Sequence, residues 1–504
     1  MAFMSSAQPA EPGPPRVVVI GGGIAGLAAA HRLLAGGAQV TVLEAGSRLG
    51  GKLHAGELAG VPADLGAEAL LARRPEAVAL ARAVGLGEAL QPVAAGGAAV
   101  WTRGRLRPLP GGQVMGVPGD LDRLAAAEVL SPEGLARVAR EAELPPAEPG
   151  EDVAIGAFVA ERLGAEVTDR LVEPLLGGVY AGDAYRLSMR AAVPQLFAAL
   201  REERTLLGAA RAVRSRGAAA PAAQGPVFMG IEGGVGRLPS AVADAVRAAG
   251  GEIVLGAEVA SLERGADSPG AAAAAAPLAS GAAPKPGEAP AGTVPARWRI
   301  LAGDRSYDAD AVVLAVPAAA AARLVRGLAP QAAAEFDGVR YASMALITFA
   351  LPRAEAEAQL PGGTGFLVPP VDGRTIKAST FSSAKWRWAG DDDLFLLRTS
   401  VGRIDDEKTL ERDDADLVAA SLDDLRAATG LAARPVASRV SRWRSALPQY
   451  EVGHGARVAR IRGALPAGLA VCGALYDGVG IPACVASAHR AADELLGRPG
   501  TMAA

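Results

Sequence analysis

The chain has 504 residues, 50% of them hydrophobic, with 51 basic against 54 acidic side chains and a formal charge of −3. That length predicts two to three domains around a large core, and a near-balanced charge without long single-sign blocks excludes a surface built for nucleic acid or for anionic lipid. Two cysteines and four scattered histidines leave no disulfide framework and no metal pair, so no metal is expected and small-molecule chemistry is the default.

The first fifteen residues lack a basic segment followed by an apolar one; residues 1–13 read as a disordered leader and not a secretory signal, which predicts a cytoplasmic protein. The strongest signal comes next. "RVVVIGGGIAGLAAAHRLLAGGAQVTVLEAG" runs from an apolar strand through Gly21-x-Gly23-x-x-Gly26 into an Ala/Leu helix and then a second strand ending at Glu44. Strand, turn, helix, strand and acid in that order predict a dinucleotide-binding βαβ unit. Gly21 makes the tight turn, Gly23 admits the diphosphate, and Gly26 lets helix and strand pack closely. With Gly22, Ile24 and Ala25 these residues place the helix N-terminus, with its amide donors, at the diphosphate. Glu44 would accept the adenosine ribose hydroxyls, with Ala45 beside it.

NAD and FAD share that unit. The following "AGSRLGGKL" and "VPADLGAEAL" carry Arg48, Gly51 and Lys52, then Gly66, Ala67, Glu68 and Ala69. A second glycine pair with a cation suits a cofactor that extends further along the protein. Here the chain resembles the FAD-dependent oxidoreductases of the amine oxidase and protoporphyrinogen oxidase superfamily, which implies FAD over NAD, bound non-covalently.

Further along, "PGDLDRLAAAEVL", "SPEGLARVAREAEL" and "EDVAIGAFVAERLG" each begin at an Asp or Ser cap or an acidic first turn and predict helices. "FMGIEGGVGRLPSAVADAV" and "GGEIVLGAEVASLE" resemble the superfamily's return to the cofactor domain, with the Val259 backbone at the adenine. Residues 264–296 are Ala/Pro-rich and read as a disordered insertion between two strands. "DADAVVLAVPA" is a further strand of the sheet. The least charged long window, Gly463 to Ala486, is broken by prolines and glycines and is poor material for a membrane span.

Four segments, "EPLLGGVYAGDAYRLSMRAAVPQL", "KASTFSSAKW", "WRSALPQYEVGH" and "LYDGVGIPACVASAHRAA", resemble the bacterial coproporphyrinogen III and protoporphyrinogen oxidases, Gram-positive and actinobacterial type. The resemblance implies an α/β fold, α+β overall. A Rossmann-like FAD-binding domain would come from 14–95, 218–325 and 444–500, a mixed-sheet substrate domain from 190–217 and 326–443, and a mostly helical domain from 108–189. The acids of "REAELPPAEPGED" in that helical piece predict at most a peripheral membrane contact.

The implied activity is oxidation of coproporphyrinogen III to coproporphyrin III in haem biosynthesis, a six-electron change with O2 as acceptor and H2O2 as product. Protoporphyrinogen IX is the alternative substrate; a flavin amine oxidase, a carotenoid desaturase and a non-catalytic Rab GDP-dissociation inhibitor are the more distant readings. A downstream ferrochelatase is the implied partner, and the oligomeric state is left open. No catalytic nucleophile or base is nominated.

The substrate carries propionates, so cations are expected around an apolar slot, and the candidates are Arg73, Arg74, Lys377 and Arg398. Tyr180, Phe381 and Trp386 are candidates for packing on the tetrapyrrole, with core packing as the alternative; Cys484 reads as a small buried residue. The resemblance places Trp443 at the cofactor. In "GALYDGVGIPAC" it implies that Val479, Gly480 and Ile481 present backbone amides to the flavin's pyrimidine edge, with Asp477 either capping the last helix or bonding the cofactor.

Overall fold

In the computed structural model of the protein, residues 14–94, 96–219, 225–265 and 298–497 are described. The expected leader, and all but the first two residues of the expected 264–296 insertion, lie outside them.

Runs of Val, Ile and Leu without polar alternation, such as Arg16–Ile20 and Ala311–Leu314, suit parallel strands buried on both faces. They form a five-stranded parallel sheet in the order Glu252–Val254, Gln39–Leu43, Arg16–Ile20, Ala311–Leu314, Leu469–Val471. Three stretches far apart in the chain thus make one sheet. Its first face is covered by the helices Ile24–Ala35, Arg237–Ala248 and Ile481–Leu495. The first and last of these meet through small residues, Ala28, Ala29 and Ala30 against Ala488, Ala491 and Ala492, so the two helix axes approach closely and run side by side. The second face carries a three-stranded antiparallel sheet, Val259–Arg264, Trp298–Ala302 and Arg305–Ala309, with the helices Ala318–Val325 and Pro330–Asp337.

A second, seven-stranded sheet has the order Ala437–Pro448, Tyr341–Pro352, Leu394–Val401, Ile376–Thr380, Gly365–Leu367, Ala99–Thr102, Arg105–Pro108. It is antiparallel except where Gly365–Leu367 meets Ala99–Thr102. The hairpin at 99–108, unassigned by the sequence reading up to 107, forms one edge of it.

The helical region has its own core. Asp120 and Ser131 cap their helices as the sequence predicts, accepting from the Arg123 and Gly134 amides at 3.1 and 2.9 Å. Helix Ile155–Leu163 differs: Ala154 precedes it, while Asp152 accepts from the Val153 amide and from Ser188 Oγ. The helices between Met189 and Ala219, expected with the substrate sheet, pack here instead. Leu196, Phe197, Leu200 and Leu206 bury against Val117, Phe158 and Val159. Buried Glu141 fixes the join, accepting from the Leu206 and Leu207 amides at 2.6 and 3.0 Å and from Arg162 Nε at 3.2 Å. Among the described residues no helix is long and apolar enough to cross a membrane, and no group of three His, Cys, Asp or Glu side chains clusters as a metal site.

Candidate cofactor and substrate cavity

Between the parallel sheet and the seven-stranded sheet lies a cavity of about 770 Å³. Its inner end is built on the first strand–helix turn. Gly21 has φ +110°, and a Cβ on Gly26 would overlap the Gly21 carbonyl oxygen, so neither position takes a side chain. Gly23 is different. A Cβ there would find nothing closer than Gly51 Cα at 4.0 Å, because its face opens into the cavity.

Gly23 caps helix Ile24–Ala35 in an extended conformation with no side-chain cap, and Gly480 does the same for helix Ile481–Leu495. Gly23, Ile24 and Ala25 line the cavity on one side and Val479, Gly480 and Ile481 on the other. Two parallel helices therefore aim uncapped first-turn amides and the positive ends of their dipoles into one space. That is a built receptacle for a long anion. Glu44 lines the same end with Ala45; its Oε2 accepts from the Gly22 amide at 2.7 Å and its Oε1 from the Gly46 amide at 2.8 Å. A carboxylate offers about four acceptor sites, so both oxygens retain capacity toward a ligand hydroxyl. Val259 lines this end as well, while Gly22 and Gly26 sit behind the wall.

Toward the middle, two loops are tied together: the Ala67 amide donates to the Lys52 carbonyl at 3.1 Å. Gly51, Lys52, Gly66 and Ala67 line the cavity here. Lys52 is half-buried, and its ammonium is held below its ordinary range by desolvation, partly offset by Cys484. Trp443 faces the cavity and anchors itself by donating from Nε1 to the Leu65 carbonyl at 3.0 Å. Arg48 does not line the space; its guanidinium stacks over the Trp443 ring at 5.6 Å and donates to the Gly51 carbonyl at 2.7 Å. Glu68 and Ala69 also lie outside the lining.

Glu68 is the buried centre of a cluster, accepting from Lys385 Nζ at 2.6 Å and pairing with Arg398 Nε at 3.0 Å. Burial alone would raise its pKa, but Arg398 and Lys385 hold it below the usual carboxylate range. Arg398 reaches the cavity wall, yet its guanidinium is committed to Glu68 and, at 2.7 Å, to the Gly66 carbonyl. It positions the Gly66–Ala67 backbone. Asp64 lies next to this cluster and accepts from the Val235 and Gly236 amides at 3.0 Å; burial pushes its pKa up to about 7.

The outer half is walled by side chains of the seven-stranded sheet, among them Met344, Leu346, Lys377 and Ser400, with Val179 at the rim. Lys377 is buried; among the described residues its ammonium finds Met344 Sδ at 4.0 Å as a weak acceptor, has Arg403 nearby, and makes no salt bridge to a carboxylate. Desolvation, with Arg403 nearby, lowers its pKa to about 7. The other expected cations lie elsewhere. Arg73 is exposed, and Arg74 pairs with Glu76 at 2.8 Å at the start of helix Pro75–Ala83, because strand Leu70–Leu71 carries the chain outward just past the cavity. Neither lines the cavity. Phe381 and Trp386 are 1% exposed and belong to the protein interior. Tyr180 is buried against Tyr450, with ring centroids 5.4 Å apart, and is absent from the lining.

At the C-terminal turn Asp477 neither caps the last helix nor faces the cavity. It pairs with Arg462 at 2.8 Å and with Arg490, which together hold its carboxyl down at about 2 against the effect of burial. Two residues without an assigned role in the sequence reading grip this turn. Tyr450 Oη donates to the Ala474 carbonyl and accepts from the Gly478 amide at 2.9 Å, and His454 stacks on its ring at 3.9 Å with Nε2 2.9 Å from the Leu475 carbonyl. Both lie in "PQYEVGH", whose Gln, Tyr and His in a nearly uncharged run were the available signal.

Residues 24–496 match the family model described as flavin containing amine oxidoreductase. The chain is 38% identical to the coproporphyrinogen III oxidase of Mycobacterium tuberculosis strain H37Rv over 486 residues, covering 95% of this chain and 96% of that protein. It is 29% identical to the coproporphyrinogen III oxidase of Bacillus subtilis strain 168, covering 96% and 98%. A crystal structure from Exiguobacterium sp. 255-15, provisionally described as a protoporphyrinogen oxidase, superposes with a TM-score of 0.79 at 29% identity over 98% of this chain and 99% of that one. Cyclohexylamine oxidase from Brevibacterium oxydans shares the fold, with a TM-score of 0.67 at 18% identity, covering 96% and 99%.

Proposed function

The chain belongs to the flavin-containing amine oxidoreductase family, and on that premise we propose that it is a coproporphyrinogen III oxidase that binds FAD without a covalent link. The observation that carries the cofactor is the pair of uncapped helix N-termini facing one cavity, with the Gly23 face open between them. The diphosphate would lie on the amides at Gly23–Ala25, its ribose on Glu44, its adenine by Val259, and the flavin ring between Gly66–Ala67, Trp443 and the amides at Val479–Ile481. Cys484 borders the cavity as a free thiol that desolvation pushes up to about 11, so it stays protonated and lacks the thiolate a covalent link would need.

When bound, FAD supplies the two-electron acceptor and its reoxidation by O2. Conversion of the porphyrinogen to the porphyrin removes six electrons and six protons, balanced by three O2 becoming three H2O2. The chain's own residues bind and orient. The positive ends of helices Ile24–Ala35 and Ile481–Leu495 favour negative charge at both ends of the cofactor. The sheet wall with Met344 and Leu346 offers a flat apolar surface that excludes water. The full-length similarity to the named mycobacterial and Bacillus oxidases supports coproporphyrinogen III as substrate; a cytoplasmic location and hand-off of the product to a ferrochelatase are part of the same proposal. The Exiguobacterium neighbour supports protoporphyrinogen IX as the second reading.

The test is direct. Purified protein should carry one releasable flavin and should generate porphyrin fluorescence from coproporphyrinogen III under air faster than from protoporphyrinogen IX. Faster turnover of amines than of either porphyrinogen would overturn the assignment.

A further inference from the structure

Four cations line the cavity among the described residues: Lys52, Arg323, Lys377 and Arg398. Arg323 is paired with Glu258 at 3.0 Å at the Val259 end, and Arg398 is committed to Glu68 and Gly66. Lys52 stands on the Gly50–Gly51 loop by the helix N-termini. On the sheet half, Lys377 alone is left without a carboxylate, and the carboxylates of the lining, Glu44 and Glu258, both lie at the far end. A buried ammonium with only a thioether for company is costly unless an anion arrives to meet it.

We propose that Lys377 determines specificity by anchoring one carboxylate of the substrate inside the slot, leaving the other carboxylates at the mouth. The inference rests on the porphyrinogen reading given above. Arg403 lies behind the wall, donating to the Val368 carbonyl at 3.1 Å, so among the described residues the lining of this half offers a second buried carboxylate no other unpaired cation and the tetrapyrrole enters with one propionate edge first.

Anchoring is also coupled to a proton. Free Lys377 titrates at about 7; an anion beside it favours the charged form, so binding takes up a proton above that pH and weakens as pH rises through 7 and beyond. The groups next to Lys377 are Arg403 from the segment after strand Leu394–Val401 and Met344 from strand Tyr341–Pro352; Arg398, opposite Thr380 on the strand between, shares the cavity wall. Glu173 and Asp406 lie beyond Arg403; Glu173, raised to about 7 by burial, titrates in the same range. Substitution of Lys377 separates the two.

The experiment measures binding of coproporphyrin III and of its tetramethyl ester to flavin-loaded protein, by fluorescence quenching in one detergent buffer from pH 6 to 9. A charge-assisted hydrogen bond predicts that Lys377→Met weakens binding of the acid about 10- to 100-fold at pH 6 and leaves the ester unchanged. Wild type should lose affinity for the acid with rising pH, and Lys377→Arg, which does not titrate in this range, should keep it. Equal weakening of acid and ester, unchanged acid binding in Lys377→Met, or a pH dependence that survives in Lys377→Met each overturns the anchor. A wild-type protein that binds neither compound and oxidises no porphyrinogen sinks the underlying functional reading instead.

Discussion

The inner half of the cavity is walled by backbone and the outer half by side chains, and the two halves obey different rules. At the inner end, Gly21, Gly23, Gly66 and Gly480 present amides and carbonyls, and what decides the site is where a Cβ would fall. At the outer end, Met344, Lys377 and Ser400 project from three strands, and what decides the site is which side chains are already spoken for. A backbone site fails when a single atom is added. A side-chain site fails when a partner is removed.

The largest effect should separate two glycines three residues apart. Gly26→Val drives a side chain into the Gly21 carbonyl and should prevent folding, seen as insoluble expression. Gly23→Val has room in the protein itself and fills only the cradle, so it should give a folded chain with native circular dichroism and no flavin. Full flavin content in Gly23→Val would end the backbone account. Next comes the boundary between the halves. Glu68→Ala strands Arg398 and Lys385 in the interior, and breaking a buried pair of this kind costs about 3–5 kcal/mol. The thermal midpoint should fall by many degrees, and flavin should be lost with it as Gly66 is released; an unchanged midpoint would show that the cluster holds nothing.

A pH effect of somewhat smaller size belongs to the C-terminal turn. Burial lowers His454 to about 4, so the folded state binds fewer protons than the unfolded one between that pH and 6.5. Its contribution is complete above 6.5 and is lost as pH falls toward 4, roughly 3 kcal/mol in all. Asp64, raised to about 7, works with the opposite sign, its stabilisation fading as pH rises from 4 to 7. Comparing urea midpoints of wild type and His454→Gln at pH 5 and 7 isolates the histidine, whose variant should lose less on acidification. The smallest change is Tyr450→Phe, which takes an acceptor from the Gly478 amide and a donor from the Ala474 carbonyl, about 2 kcal/mol for the two. It should loosen flavin retention measurably without altering porphyrin affinity; weaker porphyrin binding at full flavin content would place Tyr450 in the outer half.

The same division explains what could be read from the chain. Gly21-x-Gly23-x-x-Gly26 and the acid at Glu44 announce themselves because spacing encodes backbone conformation directly, while the Gly478–Ile481 turn is legible through the resemblance of its segment. The outer half depends on pairings between distant strands. Arg398 looks like a free cation until Glu68 and Gly66 are seen beside it, and Arg74 until Glu76 is. Asp477 reads as a helix cap or a cofactor contact because nothing local reveals that Arg462 and Arg490 converge on it from two helices. The hairpin at 99–108 goes unassigned up to 107, and the helices at 189–219 are expected with the substrate sheet while they pack on the helical core, for the same reason. Each is locally ordinary, and only its packing partners say where it belongs.

The parallel sheet closes with strand Leu469–Val471, and the second uncapped helix follows it. During translation, the nascent chain therefore displays its first glycine turn hundreds of residues before the opposing amides leave the ribosome. At that stage the Ala-rich flank of helix Ile24–Ala35 has no neighbour to lie against, and the diphosphate would be held from one side only. On the FAD reading, both sides of the cradle exist only once helix Ile481–Leu495 has been made. A chain truncated before Ile481 is therefore expected to purify without flavin despite keeping nearly all its mass.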